Sequence, residues 1–152
     1  MSMENLLIYM DCCCLNRPSD DQTQDKIRIE SDVIIAILHK CFYNSWKLIG
    51  SDIVEYEIRK TPDLNKMNKA LDLYKIKKET INLSEIILKR AKEIQQCGLK
   101  PLDSLHFAIA EYRKVNILLT VDKDFINGSR KILSSLKVEN PINWFMEVIE
   151  ND

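Results

Sequence analysis

A chain of 152 residues, 45% of them hydrophobic, can bury one substantial core and is too short for two ordinary domains. Its 22 Lys and Arg against 23 Asp and Glu leave a net charge of -1, which excludes a protein drawn to nucleic acid or acidic membranes by bulk charge. A polyanionic partner would have to be met by a local patch or through metal ions.

The chain opens "MSMENLLIYMD" with no basic leader, and its apolar run is broken at Asp11, too early for a signal sequence or a membrane span. A cytoplasmic protein with no membrane segment is expected. "LLIYM" (6–10) reads as a short apolar strand, followed by Cys12, Cys13 and Cys14. Continued as strand, those side chains alternate between faces, and the three do not converge on one ion. With Cys41 and Cys97 the cysteines number five, an odd count without CxxC spacing, which argues against a disulfide framework and a zinc site. They are expected to be reduced and to serve as small buried apolar residues, with redox sensing at a partly exposed thiol as the minor alternative.

After the polar loop "NRPSDDQTQD", the segment from about Lys26 to Tyr43 carries apolar residues at Ile27, Val33, Ile34, Ile37, Leu38 and Cys41, which is helical spacing. "WKLIG" (46–50) predicts a second strand. Ser51 or Asp52 caps a helix to about Lys60, and Pro62 with Asp63 opens another. "TINL" (80–83) predicts a third strand. Ser84 and Glu85 start a helix that stops at Gly98, and Pro101 starts one with Leu102, Leu105, Ile109 and Tyr112 on one stripe. "NILLTV" (116–121) is the most strand-like run. The remainder, "SRKILSSLKVENPINWFMEVIEND", reads as a short helix, an edge strand near Lys137 to Glu139, and a closing helix from Pro141.

Strands separated by helices pair in parallel through crossovers, so the expected fold is a three-layer α/β/α sandwich with a mainly parallel central sheet, one domain over residues 1–152. In such sheets function gathers at the carboxyl ends of the strands. Asp11 and Asp122 both follow strands there. Either one alone is more ordinarily a turn or cap residue; the pair is what points to a site. Asp103 lies in the first turn of a helix, where the dipole favours a carboxylate without any catalysis. Glu55 and Glu57, two apart on a helix, point to different sides, so at most one joins a common cluster.

In their order, these residues resemble the PIN-domain nucleases, particularly the toxin half of VapBC-type toxin-antitoxin modules. "IYMD" with Asp11 matches the family's first block, and Ser51, Glu57 and Ile58 match the second, which selects Glu57 over Glu55. Pro101, Asp103, His106, Ala108 and Ala110 match the third, and Thr120, Asp122, Asp124 and Phe125 the fourth. "NPINWFMEVI" is similar to the family's Pro-led closing helix. The stretch "CCCLNRPSDDQTQDKIRIE" departs from it, with Asn16, Arg17, Arg28 and Glu30 in a pattern that the resemblance does not assign.

The resemblance implies an endoribonuclease that depends on Mg2+ or Mn2+, with Asp11, Glu57, Asp103 and Asp122 as both its catalytic and its metal-binding residues. Asp11 and Asp103 would be inner ligands, Asp122 would bind or orient a metal-bound water, and Glu57 would complete the site or assist deprotonation. Clustered carboxylates raise one another's proton affinity unless a cation intervenes, and hard oxygen ligands suit these two ions. The resemblance also implies an RNA substrate, a cognate antitoxin and a homodimer, with the helix face of Trp144 and Phe145 a candidate contact. His106 is read as an anchor for its helix, Asp124 as a capping or supporting group, and Arg17, Lys123 and Arg130 as candidate phosphate contacts. The competing reading is a PIN-like protein-binding or RNA-binding module with weak or no catalysis. Aspartyl phosphotransfer is disfavoured, because the second aspartate it needs would stand where Cys13 is.

Overall fold

The computed structural model describes residues 5–150, so the first four residues of the leader reading and the last two of the closing segment lie outside the described residues. Strand β1 (Leu7–Met10) is followed by α1 (Cys12–Asn16), a 3-10 turn at Arg17–Ser19, and the long α2 (Asp25–Phe42). Next come β2 (Lys47–Ser51), α3 (Asp52–Arg59), α4 (Leu64–Tyr74), β3 (Glu79–Ile81), α5 (Glu85–Gln96) and α6 (Pro101–Arg113). The chain ends with β4 (Ile117–Leu119), α7 (Lys123–Ser129), β5 (Val138–Glu139) and α8 (Pro141–Glu150).

The five strands form one sheet in the order β3-β2-β1-β4-β5, every pair parallel. β1 lies at its centre, with Ile8 beside Leu48 on one side and Ile117 on the other. Both neighbours bury it, which is why "LLIYM" is a continuous apolar run rather than an alternating one. The strand order runs outward from β1 to β3 and then returns to β4, so right-handed crossovers set α2 and the α5–α6 pair on opposite faces. That reversal opens a crevice beyond the carboxyl ends of β1 and β4.

The core holds Ile8, Tyr9, Met10, Leu48, Ile49, Phe107, Ile117, Leu119 and Phe125, all essentially excluded from solvent. α2 packs on α8, where the Trp46 and Trp144 rings meet edge to face at 5.2 Å and Phe145 approaches Trp46 at 6.3 Å. Trp144 therefore closes the core instead of offering a contact face, and Met146 and Ile149 are the exposed apolar residues of α8. None of the described helices is long and apolar enough to cross a membrane.

Three sequence expectations are corrected. The cysteines do not extend β1: Asp11 accepts a hydrogen bond from the Cys14 amide and caps a helix that begins at Cys12. The third strand starts at Glu79, one residue before "TINL". The short helix does not run on through "RKIL"; the Asp122 side chain takes the amides of Asp124 and Phe125, so the helix starts seven residues before Arg130 and ends at Ser129. Turns then carry the chain to β5.

Candidate active site

Asp11 is delivered by the central strand and is buried. Thr120, at the exit of β4, donates its hydroxyl to Asp11 Oδ2 at 2.7 Å, and the Cys13 thiol donates to Oδ1 at 2.6 Å. The same Thr120 Oγ1 accepts the Asp122 amide at 3.1 Å. One hydroxyl thus ties the two strand-end aspartates together from both of its sides. Burial raises the Asp11 carboxyl, while His106 and the hydrogen bonds from Cys13 and Thr120 pull it back.

Glu57 comes from α3 and reaches His106 of α6 through a contact between its Oε1 and the ring Nε2. Behind the ring, His106 Nδ1 meets the Tyr9 hydroxyl at 2.7 Å, and that hydroxyl meets Ser51 Oγ at 2.7 Å. Ser51 also caps α3, accepting the Val54 amide, and its own amide donates to the Tyr74 hydroxyl at 2.7 Å. One direction of donation satisfies the whole run: Ser51 to Tyr9, Tyr9 to Nδ1, and Nε2 to Glu57. His106 is buried, as expected for an anchor, and what it anchors is Glu57. Glu55 points elsewhere and pairs with Arg59 at 3.3 Å.

Asp103 sits half-buried in the first turn of α6. Its carboxyl is pushed up to about 6, first by burial, then by the like charges of Asp122 and Asp11, with Glu57 adding to them and His106 opposing. Asp103 therefore lies within the fields of the other three predicted carboxylates, and Asp11 within that of Glu57. The four do not close to the spacing of ligands around one ion: among the described residues, the group whose ligand atoms all fall within 4.8 Å is Asp11, Cys13 and Cys14, and no three of the acids do so. Asp122 is the cap of α7, and Asp124, expected as a capping group, instead donates its amide to that cap.

Sequence reasoning left Thr120 and Tyr9 without roles, and gave Ser51 only the helix cap that it does form. Thr120 and Ser51 both stood in the matched blocks, and a polar side chain at the exit of an apolar strand is the signal that could have marked them. Two of the unassigned residues in the 16–30 stretch are structural: Glu30 of α2 is fully buried, accepting from Arg17 Nε at 2.9 Å and from Asn140 Nδ2 at 2.6 Å. Arg17 also pairs with Asp20, so it is committed to the fold; Lys123 and Arg130 remain exposed. Cys12 and Cys14 are not poised as nucleophiles, since burial pushes Cys12 up to about 12 and raises Cys14 well above the ordinary range.

No family profile and no curated protein matches the sequence. Solved structures do match. VapBC2 from Rickettsia felis, crystallised bound to a DNA fragment from their promoter, is 20% identical over 88% of this chain and 98% of that one, with a TM-score of 0.56. PAE2754 from Pyrobaculum aerophilum is 10% identical over 99% of each chain, with a TM-score of 0.53. The α/β architecture with its parallel five-stranded sheet is a PIN-like fold, as the sequence resemblance implies.

Proposed function

We propose that this chain is a single-domain endoribonuclease of the PIN type, dependent on Mg2+ or Mn2+, and the toxin of a toxin-antitoxin pair. The observation that carries the reading is Asp103, whose carboxyl is pushed up to about 6 first by burial and then by the like charges of Asp122, Asp11 and Glu57. A divalent cation relieves that repulsion, and the donors are hard oxygens, so the residues present fit such an ion. Because no three of the acids among the described residues close around one point, water would fill much of the coordination sphere, as Mg2+ ordinarily requires. Asp11 and Asp103 would hold the ion, with Asp122 and Glu57 acting at its margin. When bound, the ion supplies an activated water and offsets charge on the scissile phosphate.

The chain's own residues do the positioning. Thr120 holds the Asp11 carboxylate and the Asp122 backbone amide on one hydroxyl, which fixes the orientation of the first acid and the entry of the second. His106 holds Glu57 so that its carboxylate can accept a proton from the attacking water. RNA is the proposed substrate, a cognate antitoxin the proposed partner, a homodimer the proposed assembly and the cytoplasm the proposed location. The fold shared with the Rickettsia felis VapBC2 structure supports the toxin reading. Incubation with total RNA and Mg2+ or Mn2+, with mapping of the cleavage ends, tests it: cleavage that stops in excess chelator is expected, and cleavage that persists there overturns the metal-dependent mechanism. The open spacing of the carboxylates favours one second reading, a PIN-like binding module with weak or no catalysis, and intact RNA in the same incubation would select it.

A further inference from the structure

The sequence pattern set the three cysteines on alternating faces, but the structure winds them into the first turn of α1, and this turn brings two of them to Asp11. Asp11, Cys13 and Cys14 each offer a ligand atom, and the three atoms lie within 4.8 Å of one another. Zinc sits about 2.0 to 2.3 Å from oxygen and sulfur ligands, so donors around one ion stand roughly 3 to 4 Å apart, and small side-chain rotations suffice to close this group on a cation. We propose that Asp11, Cys13 and Cys14 form a binding site for a thiophilic divalent cation, Zn2+ above all, distinct in preference from the hard-oxygen carboxylate cluster beside it.

Two further features support it. The Cys13 sulfur, which donates to Asp11 while it is a thiol, also accepts the Val121 amide at 3.5 Å, a contact that suits a metal-bound thiolate; Thr120 Oγ1 lies 3.3 Å away with its own proton on Asp11. The site is also reachable, because Cys13 is only half-buried while Cys14 closes it from beneath. Two sulfurs and one carboxylate rank Zn2+ above Mn2+ and far above Mg2+, since soft ligands and the divalent-metal affinity order act in the same direction. Loading forms two Zn–S bonds and one Zn–O bond, sends the two thiol protons to solvent, and leaves water as the fourth ligand. The alternative is that Cys13 serves Asp11 only as an S–H donor.

One consequence rests on the ribonuclease reading: Asp11 belongs to both sites, so Zn2+ would block the ion that supports cleavage. The binding itself does not rest on it.

The test uses the full chain, reduced and metal-free. Zn2+ is titrated in competition with a chromophoric chelator, and Co2+ is titrated while its absorption is recorded. The expected results are one tight Zn2+ per chain, a thiolate-to-cobalt charge-transfer band, at least a tenfold loss of Zn2+ affinity in Cys13→Ser, and no loss in Cys97→Ser, whose thiol lies elsewhere on the surface. Should Cys13→Ser fail to fold, alkylation of the unmodified protein decides: Zn2+ should protect Cys13 from iodoacetamide, as read by mass spectrometry. An absent charge-transfer band, an unchanged affinity in folded Cys13→Ser, or unprotected Cys13 overturns the site. Zinc binding without RNA cleavage would leave the site standing and remove the ribonuclease reading, whereas cleavage without zinc binding would do the reverse.

Discussion

Glu57 and His106, 49 residues apart in sequence, meet at the crevice, and the ring that grips the carboxylate is itself gripped from behind by Tyr9. A carboxylate on a helix face can ordinarily rotate freely. Here its orientation is set by a buried run of hydrogen bonds that begins at the cap of its own helix, Ser51.

His106→Phe keeps a ring in place while removing the donor to Glu57 and the acceptor for Tyr9. The buried Tyr9 hydroxyl loses a partner, which costs about 1 to 3 kcal/mol of stability. Loss of the carboxylate's orientation should lower RNA cleavage on the order of 10- to 100-fold, the usual effect of removing a group that orients a ligand. Tyr9→Phe should show a smaller loss of the same kind. Cleavage rates measured where urea curves show both variants fully folded check this, and unchanged rates there would leave His106 a packing residue alone.

Asp103 gives a pH-dependent prediction. It ionises near 6 in the fold and near its ordinary 3.8 in the unfolded chain, so between those values the folded state holds more protons. Stability therefore falls as pH rises through that window and stays lowered above it. Asp103→Asn carries no charge to repel, so in metal-free buffer it should be more stable than the original chain at pH 8, with the advantage gone by about pH 4. A merely dipole-complementing aspartate would give the opposite sign, a loss of about 0.3 to 1 kcal/mol at pH 8. Urea midpoints at the two pH values separate the outcomes. Added Mg2+ should raise the melting temperature of the original protein and move that of the variant much less.

Glu30 has no exposure and leans on Arg17 and Asn140. Arg17→Met would leave its charge to Asn140 and to the exposed Lys26 ammonium 4.0 Å away, at a cost of about 3 kcal/mol, the low end for a buried pair because Lys26 remains and Arg17 itself keeps some contact with water. The double variant Arg17→Met, Glu30→Met should recover at least half of that loss, because both charges then leave together. Denaturation curves of the two variants check the difference, and equal losses would mean that the pair's geometry matters more than its charge.

Gly50 lies where a methyl group would come within 2.5 Å of Lys77 Cδ and 2.7 Å of the Tyr74 hydroxyl. The lysine can swing aside. The tyrosine hydroxyl cannot move without releasing the Ser51 amide, so Gly50→Ala should cost about 1 to 3 kcal/mol. The same change made in Tyr74→Phe should cost less, and a double-mutant cycle measures the coupling.

Much of this was legible in local pattern. Apolar runs marked β1, β2 and β4, and Pro101 with the stripe from Leu102 marked α6; the parallel topology then carried Asp11 and Asp122 to one sheet edge. What escaped were relationships between distant positions. The Thr120 hydroxyl reaches across 109 residues to Asp11, and Asn140 across 110 to Glu30, separations to which no local periodicity responds. Spacing alone also left Glu55 and Glu57 equivalent, and what distinguishes them in the structure is the ring of His106. The cysteine misreading had a different origin: the period of two was carried past Met10, although an aspartate at a strand exit is also a strong signal for the start of a helix.

The central place of β1 has a consequence for synthesis. The ribosome makes the first strand early, but one of its edges stays bare until Ile117 to Leu119 arrive, and Asp11 meets Thr120 only after that. The acids of the crevice are thus contributed by positions from 11 to 122, and the last to arrive belongs to the unit that clasps the first. An incomplete chain that stops short of this point holds its aspartates without the clasp. Under the proposed ribonuclease function this ordering would be protective, because the growing polypeptide lacks the completed site until about four-fifths of its length has been made.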